Sequence, residues 1–238
     1  MIIRRMLSAD VPRGLALCRA AGWNQVAADW ERLLELGRDG CVVAELDGQV
    51  AGTATAIVYE GRFAWIGMVL VDPAARGRGI GTALMEHLLS WLGGVPARLD
   101  ATPKGLPLYQ RLGFVEETTL LRMTRAPGDQ PEGRRTRTEA VVIVRPMRDA
   151  DLAAVMNWDR AVFGADRSRL LRWAFTAAPE RAWVAEGTTG LCGYCFGRHG
   201  HTLTQIGSIV ATDADAASGL LAASVATASG VPLVLDVT

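Results

Sequence analysis

The sequence has no net charge, few cysteines and no apolar run long enough to cross a bilayer. Its 25 basic and 25 acidic residues give a formal net charge of zero, so bulk electrostatics offers no support for a nucleic-acid or anionic-membrane partner. No apolar run approaches the ~20 residues that span a membrane. The start, Met1-Ile2-Ile3-Arg4-Arg5, has no apolar core of signal length. We therefore expect a cytoplasmic protein with neither a membrane nor a nucleic-acid partner.

The cysteine content excludes a small protein held together by disulfides. Cys18, Cys41, Cys192 and Cys195 are too few and too scattered for a disulfide scaffold. Cys192 and Cys195 form a C-x-x-C pair, but they fall in a strand-like run, where residues three apart point to opposite faces. No second pair completes a zinc site. We expect no metal site.

The most informative stretch runs from Trp65 to Leu92. It opens with a continuous apolar run, Trp65 to Val71, whose length and β-branched content predict a strand buried on both faces. A turn at Asp72-Pro73 leads to Arg76-Gly77-Arg78-Gly79-Ile80-Gly81. Leucines and a tryptophan then recur at helical spacing up to Leu92. The glycines therefore lie between a strand and the first turn of a helix.

Glycines in that position predict a site for an anion. The first turn of a helix has backbone N–H groups without partners and carries the positive end of the helix dipole. The glycines let the backbone approach a phosphate closely, and Arg76 and Arg78 add charges suited to bidentate bonds. Thr82 stands where a dinucleotide-binding fingerprint needs its last glycine, and the stretch lacks the lysine of a triphosphate loop. We interpret residues 76–82 as a diphosphate cradle.

The cradle carries a family resemblance. Its R-x-x-G-x-G pattern, with Arg76, Gly79 and Gly81 fixed and Val71-Asp72-Pro73 before it, resembles the acyl-CoA signature of the GNAT superfamily of N-acetyltransferases. The resemblance implies acetyl-CoA as the donor. The implied cofactor-binding residues are Val69, Leu70, Val71, Arg76, Gly77, Arg78, Gly79, Ile80, Gly81 and Thr82.

A second element of the same resemblance lies downstream. Pro107 opens a predicted helix that ends at Gly113-Phe114, with Tyr109 four residues before the glycine. By analogy with the family, the Tyr109 hydroxyl protonates the departing thiolate. The alternative is a tyrosine packed on the sheet with its hydroxyl in water. A final strand is predicted from Phe114 to Met123, so the resemblance covers about residues 1 to 125.

The earlier part of the chain supplies the expected acceptor site. Helices are predicted after Ser8-Ala9-Asp10 and from Ala27 to Leu36, and two strands are joined through Asp47-Gly48. The irregular segment between the helices and the end of the third strand are expected to bind the amine acceptor. The candidate substrate-binding residues there are Trp23, Asn24 and Tyr59, although Trp23 fits a core role equally well. The general base stays open among Glu45, Glu60 and Asp100.

The second half repeats the first at a nearly fixed offset. Arg4, Met6, Ala9 and Asp10 recur as Arg145, Met147, Ala150 and Asp151, and Val43-Ala44-Glu45 recurs as Val184-Ala185-Glu186. The glycines and arginines of the cradle are replaced there by Asp213 and Asp215, whose charge predicts that this half does not bind the cofactor in the same way. Thr238 corresponds to Thr102, so this half lacks a match to the Tyr109 helix, because it is naturally short or because the chain is cut.

We therefore expect an α/β (α+β) protein of two tandem GNAT-like domains, each a mixed, mostly antiparallel sheet flanked by helices. The expected boundaries are 1–125 for the acetyltransferase domain, 126–140 for a linker with a basic run, and 141–238 for a degenerate, incomplete domain. The expected function is transfer of an acetyl group from acetyl-CoA to a primary amine of a small molecule or peptide. The alternative is a non-catalytic acyl-CoA sensor or assembly module, and Tyr109 favours the enzyme.

Overall fold

A computed structural model describes residues 1–128, 142–228 and 230–237 and divides the chain into two units, Met1–Thr118 and Thr119–Thr238. Each unit has a sheet flanked by helices, with mostly antiparallel strands, which confirms the predicted fold class. Residues 129–140 of the predicted linker, including its basic run, lie outside the described ranges. Within those ranges, no helix combines the length and apolar character that crossing a membrane requires.

The first unit contains a five-stranded sheet in the order of the chain. Its elements are β1 (Ile2–Arg5), α1 (Val11–Ala20), α2 (Ala27–Gly37), β2 (Cys41–Leu46), β3 (Gln49–Tyr59), β4 (Phe63–Val71), α3 (Ile80–Leu92), β5 (Ala97–Leu99) and α4 (Leu106–Arg111). Neighbouring strands are antiparallel except β4 and β5, which are parallel. The crossover from β4 to β5 runs through α3, which is the connection that a parallel pair needs.

Helices cover both faces of this sheet because its central strands are apolar on both faces. In β2, Val42 and Ala44 join the cluster that includes Leu84 and Leu88 of α3, whereas the alternate residues Cys41 and Val43 join the cluster built on α1 and α2. The period of two along a strand produces this division. Each face therefore has its own core.

The parallel pair β4 and β5 stays together over a short length. Its register joins Ala64–Ile66 to Ala97–Leu99 and ends there. Beyond Ile66, the β4 residues from Gly67 to Val71 have no strand neighbour on the β5 side within the described part of the chain. The structure therefore leaves an open strand edge that leads directly to the cradle.

The second unit contains a six-stranded sheet. Its elements are β6 (Leu121–Arg125), β7 (Ile143–Pro146), α5 (Leu152–Phe163), α6 (Ser168–Ala177), β8 (Trp183–Gly187), β9 (Gly190–His199), β10 (Thr204–Ala211), α7 (Ala214–Ala226) and β11 (Leu233–Val237). The spatial order is β6-β11-β10-β9-β8-β7. From β7 to β11 it follows the plan of the first unit, with α7 in the place of α3.

The predicted last strand of the first domain belongs to the second sheet, and its bounds differ from the prediction. The strand forms over Leu121–Arg125 instead of 114–123, and it pairs antiparallel with β11. Arg122 reinforces the pair through two 2.8 Å hydrogen bonds to Asp236. Without β6, β11 would be an edge strand with unpaired backbone groups. A strand pattern does not specify its partner, so the sequence alone did not reveal this pairing.

An ion-pair cluster occurs in both units and supports the internal repeat. In the first unit Arg4 binds Asp10, six residues on, and Glu45, 41 residues on. The second unit repeats both spacings with Arg145, Asp151 and Glu186. Each cluster ties the first strand of its unit to the turn before the first helix and to the second strand. The two halves therefore share side-chain bonding as well as topology.

These clusters predict acid sensitivity. The pKa of Asp10 and the pKa of Asp151 lie below the ordinary 3.8, chiefly because Arg4 and Arg145 donate hydrogen bonds to the carboxylates. Their contribution to stability is therefore present above about pH 4 and is lost as pH falls through the lowered folded values. We expect the free energy of unfolding, measured in urea, to decrease over this range. The double variant Asp10→Asn, Asp151→Asn should show a shallower decrease, and Asp39→Asn, at an exposed pair, should match wild type. Equal slopes in all three would refute the assignment.

Candidate active site

The cradle has an open backbone conformation that glycine makes possible. Gly77 and Gly79 have φ of +78° and +76°, and Gly79 is the left-handed residue that starts α3. A Cβ built on either residue meets no atom within 4 Å, so the space around the loop is empty. A Cβ on Gly81 would contact Leu108 at 3.4 Å, which brings α4 beside the cradle. The glycines thus serve the backbone conformation and leave room above it.

The amides of the cradle are available to a ligand. Across residues 76–82, no backbone N–H donates a hydrogen bond to any part of the chain that the structure describes. The bond nearest the start of α3 runs from the Ala83 N–H to the Gly79 carbonyl at 3.0 Å. Arg76 and Arg78 are exposed beside these amides. Unpaired amides, a helix start and two guanidinium groups are the features that an anion-binding site requires.

Asp72 fixes the entry to the cradle. Its carboxylate accepts a 2.8 Å hydrogen bond from the Ala74 N–H and pairs with Arg13 of α1, which also donates from Nε to the Val50 carbonyl. The Asp72 N–H donates to the Ala51 carbonyl at 2.8 Å. The pKa of Asp72 is lowered, first by the Ala74 amide and then by Arg13. The loop therefore leaves β4 in a direction set before any ligand binds.

A β-bulge interrupts β4 just before the cradle. Thr53 pairs with Leu70 and Thr55 pairs with Gly67, so Met68 and Val69 together face one residue of β3. Met68 has φ of +51°, a conformation that costs a residue with a side chain about 1–3 kcal/mol. The apolar run Trp65 to Val71 gave no sign of this bulge, because a register skip depends on two strands at once.

Tyr109 lies on α4 beside the cradle. It is 8% exposed and packs against Phe114 at a ring-centroid distance of 6.1 Å. Burial raises the pKa of Tyr109. Its hydroxyl forms no hydrogen bond within the described ranges, yet it is not among the fully buried polar atoms that lack a partner. The structure therefore presents a protonated hydroxyl that keeps access to solvent or to a ligand.

The segment between α1 and α2 lies on the other face of the sheet. Trp23 packs against the same apolar cluster as Met68 of the bulge, and Asn24 follows it, partly buried. Sequence reasoning missed Gln25, whose Oε1 is fully buried and has no hydrogen-bond partner in the described part of the chain. Its place beside Trp23 and Asn24 was the available signal. An unpaired buried carbonyl is costly unless a ligand donates to it.

Tyr59 lies at the end of β3 that is far from the cradle. Tyr59 ends β3 and packs on Phe63 at 5.7 Å, whereas Gly52, near the other end of β3, pairs with Val71 at the cradle. An extended strand places Tyr59 about 23 Å from Gly52. Tyr59 is therefore distant from the cradle, and its role in binding the amine acceptor stays a prediction.

The three candidates for the general base lie at different places in the first unit. Glu45 accepts a 2.8 Å hydrogen bond from Arg4 in the ion-pair cluster described above. Glu60 is exposed in the turn between β3 and β4, and Asp100 is exposed directly after β5. The structure gives Glu45 a structural role and does not single out a general base.

In the second unit, a side-chain carboxylate caps the helix start that corresponds to the cradle. Asp213 precedes α7 and accepts hydrogen bonds from the N–H groups of Asp215 and Ala216 at 3.0 and 2.9 Å. These bonds, with Ala216 first, lower the pKa of Asp213. An internal anion thus occupies the position that stays open in the first unit.

Comparison with known proteins agrees with both halves of this description. Residues 15–114 match the model of the acetyltransferase (GNAT) family, and residues 155–238 match an acetyltransferase (GNAT) domain model. The uncharacterized N-acetyltransferase YitH of Bacillus subtilis is 26% identical over 94% of this chain and 77% of its own length. The mycothiol acetyltransferase of Nocardia farcinica is 32% identical over 63% of this chain, which spans about half (52%) of that relative. The fold matches a GCN5-related N-acetyltransferase of Sphaerobacter thermophilus with a TM-score of 0.69 at 20% identity, covering 99% of this chain and 86% of that one.

Proposed function

Because this chain belongs to the acetyltransferase (GNAT) family as a tandem of two such domains, we propose that its first unit transfers an acetyl group from acetyl-CoA to a primary amine. The single observation that carries the proposal is the cradle, whose amides from Arg76 to Thr82 have no partner among the described residues and whose Gly77 and Gly79 face empty space. The second unit has Asp213 at the same place, so it is proposed not to bind the donor in this way.

The residues of the first unit fit acyl-CoA. The cradle amides with Arg76 and Arg78 would hold the diphosphate. The open edge of β4 from Gly67 to Val71 offers backbone donors and acceptors to the amide groups of an extended pantetheine arm, as a sheet edge does for a peptide. Bound acyl-CoA supplies the activated thioester. A Cβ on Gly77 or Gly79 would enter the empty space that the phosphates are proposed to occupy.

The bulge supplies the proposed electrophilic contact. Backbone N–H groups on the open edge of β4, that of Val69 in particular, would donate to the carbonyl oxygen as negative charge develops on it. Such donors cost no reorganisation during the reaction because the strand already fixes them. This contact explains why the fold holds Met68 in a strained conformation.

Tyr109 is the proposed acid. Its hydroxyl, protonated because burial raises its pKa, would donate a proton to the sulfur as the thiolate leaves. Leu108 brings α4 against Gly81, so the tyrosine lies on the helix that packs beside the cradle. Neutral pH leaves the hydroxyl protonated, which is the state that this role requires.

The acceptor is proposed to enter from the segment that holds Trp23, Asn24 and Gln25. Trp23 and Asn24 are partly exposed there, and an aromatic ring and a side-chain amide can orient a small amine. An amine with a lysine-like pKa of ~10.4 must lose a proton at a cost of about 4–5 kcal/mol at pH 7. The small-molecule substrate in the name of the Nocardia relative favours a small-molecule amine over a peptide.

A thiol-release assay tests this proposal. The chain is incubated with acetyl-CoA and a panel of thiol-free amines, namely amino sugars, polyamines and peptides without cysteine, and free coenzyme A is followed with a thiol reagent. We expect amine-dependent release with at least one small-molecule amine. Tight binding of acetyl-CoA without turnover on any acceptor would instead indicate a sensor.

The two helix starts predict the binding stoichiometry. We expect calorimetry to give one coenzyme A per chain, because one cradle is open and the other position is occupied by Asp213. Asp213→Ala should lower the thermal stability of the chain and leave the affinity for coenzyme A unchanged. A stoichiometry of two, or weaker binding in Asp213→Ala, would show that the second unit takes part in binding the donor.

A further inference from the structure

Two buried threonines on β3 hold the backbone of the bulge. Thr53 and Thr55 are 0% and 1% exposed, although each has a polar side chain. The Thr53 hydroxyl donates to the Met68 carbonyl at 2.8 Å, and the Thr55 hydroxyl donates to the Gly67 carbonyl at 3.1 Å. Both hydroxyls therefore satisfy their hydrogen-bonding needs on consecutive carbonyls of β4.

The bond from Thr53 determines where the next amide points. The peptide that joins Met68 to Val69 is trans, so its C=O and N–H point in opposite directions. Because the Met68 carbonyl accepts from the Thr53 hydroxyl, the Val69 N–H of the same peptide points away from that hydroxyl. On the side of β4 opposite β3, the register with β5 ends at Ile66, so the strand edge beside Val69 is open there. Thr53 thus acts on Val69 through Met68.

The second unit shows that a bulge forms without this support. The register of β10 and β9 skips between Ile206 and Ile209, at the place that corresponds to the bulge in β4. The residues in the positions of Thr53 and Thr55 are Tyr194 and Phe196. The Tyr194 hydroxyl donates to Asp159 at 2.5 Å. In the second unit a bulge therefore forms without threonines at these positions, and the threonines occur in the unit that has the open cradle.

We propose that Thr53 is a positioning residue for the transfer reaction, which aims the Val69 N–H at the carbonyl oxygen of the acyl donor. This inference rests on the function proposed above. Thr53 holds the carbonyl of Met68, the one residue of β4 with a positive φ. Thr55 holds Gly67, which lies in register opposite Thr55 itself. The two hydroxyls are equally buried, so Thr55 provides a matched control.

The test compares three variants of the full chain. Thr53→Val keeps the shape of the side chain and removes the donor, and we expect kcat to decrease about 10–100-fold, less than or near the loss of one oxyanion donor. The Kd for coenzyme A should stay within about 2-fold, because the cradle is untouched. Thr53→Ser restores the hydroxyl and should recover kcat to within about 3-fold of wild type. Thr55→Val should lower kcat less than about 3-fold.

A second readout does not depend on turnover. In NMR spectra of the ligand-free protein, Thr53→Val should shift the Val69 amide N–H resonance and the Met68 carbonyl carbon resonance. Thr55→Val should leave the Val69 amide resonance nearly unchanged. Wild-type kcat in Thr53→Val, equal losses in both valine variants, or an unmoved Val69 amide would overturn the positioning role. If the wild-type chain turns over no amine while Val69 still responds to Thr53→Val, the proposed function has failed and the structural part of the inference stands.

Discussion

Replacing Gly79 with aspartate is expected to weaken coenzyme A binding at least 100-fold, a loss of about 2.7 kcal/mol. Gly79 starts α3 with φ of +76°, and a Cβ there meets no protein atom within 4 Å. Aspartate tolerates a left-handed backbone better than most residues, so the loop should keep its conformation. The carboxylate would enter the empty space above the amides and would repel a diphosphate while accepting their hydrogen bonds. Isothermal titration calorimetry measures the loss directly.

Two controls separate the causes of that loss. Gly79→Asn has nearly the same volume without the charge, so it should lose part of the affinity through sterics alone. Gly61→Asp places the same carboxylate at an exposed glycine with φ of +68° in the β3–β4 turn, where a Cβ also meets nothing. It should bind coenzyme A as wild type does. Wild-type affinity in Gly79→Asp, with intact folding, would place the diphosphate elsewhere.

Tyr109→Phe is expected to lower kcat about 10–10³-fold, below or within the usual range for a general acid. The Tyr109 ring packs against Phe114, and its hydroxyl forms no hydrogen bond with the described residues. Removing the hydroxyl should therefore leave the packing intact. The KM for acetyl-CoA should change little, because the cradle holds the donor. Steady-state kinetics with the acceptor identified by thiol release measures both constants. Unchanged kcat in a folded variant would remove Tyr109 from the mechanism.

The raised pKa of Tyr109 predicts how kcat depends on pH. Because burial favours the neutral phenol, the hydroxyl stays protonated throughout the neutral range and above the ordinary value of 10.0. We therefore expect no loss of kcat from tyrosine ionisation below about pH 10, and wild type and Tyr109→Phe should have parallel profiles up to that pH. An alkaline decrease that occurs in wild type and is absent in the phenylalanine variant would show a lower tyrosine pKa than this structure implies.

Local signals predicted the parts of the fold that depend on neighbouring residues. The helix expected from Ala27 to Leu36 forms over Ala27–Gly37, and the hairpin expected at Asp47-Gly48 joins β2 to β3. The cradle lies between β4 and α3 because the glycines, the turn and the helical period are all local. The internal repeat followed from residue offsets and reappears as the shared ion-pair clusters.

Features that depend on contacts between residues distant in the chain could not be predicted from local sequence patterns. The predicted final strand joined the second sheet, because its partner β11 lies more than a hundred residues along the chain. The bulge at Met68 comes from the register between two strands, and its support comes from threonines that look unremarkable in an apolar strand.

A crystal structure of the chain with coenzyme A would show where the diphosphate binds. We expect diphosphate oxygens within hydrogen-bond distance, about 2.7–3.2 Å, of the amides of residues 77–82, and a pantetheine arm along the open edge of β4. Coenzyme A bound at any other place, or cradle amides bonded to the protein's own carbonyls in that complex, would refute the role of the cradle.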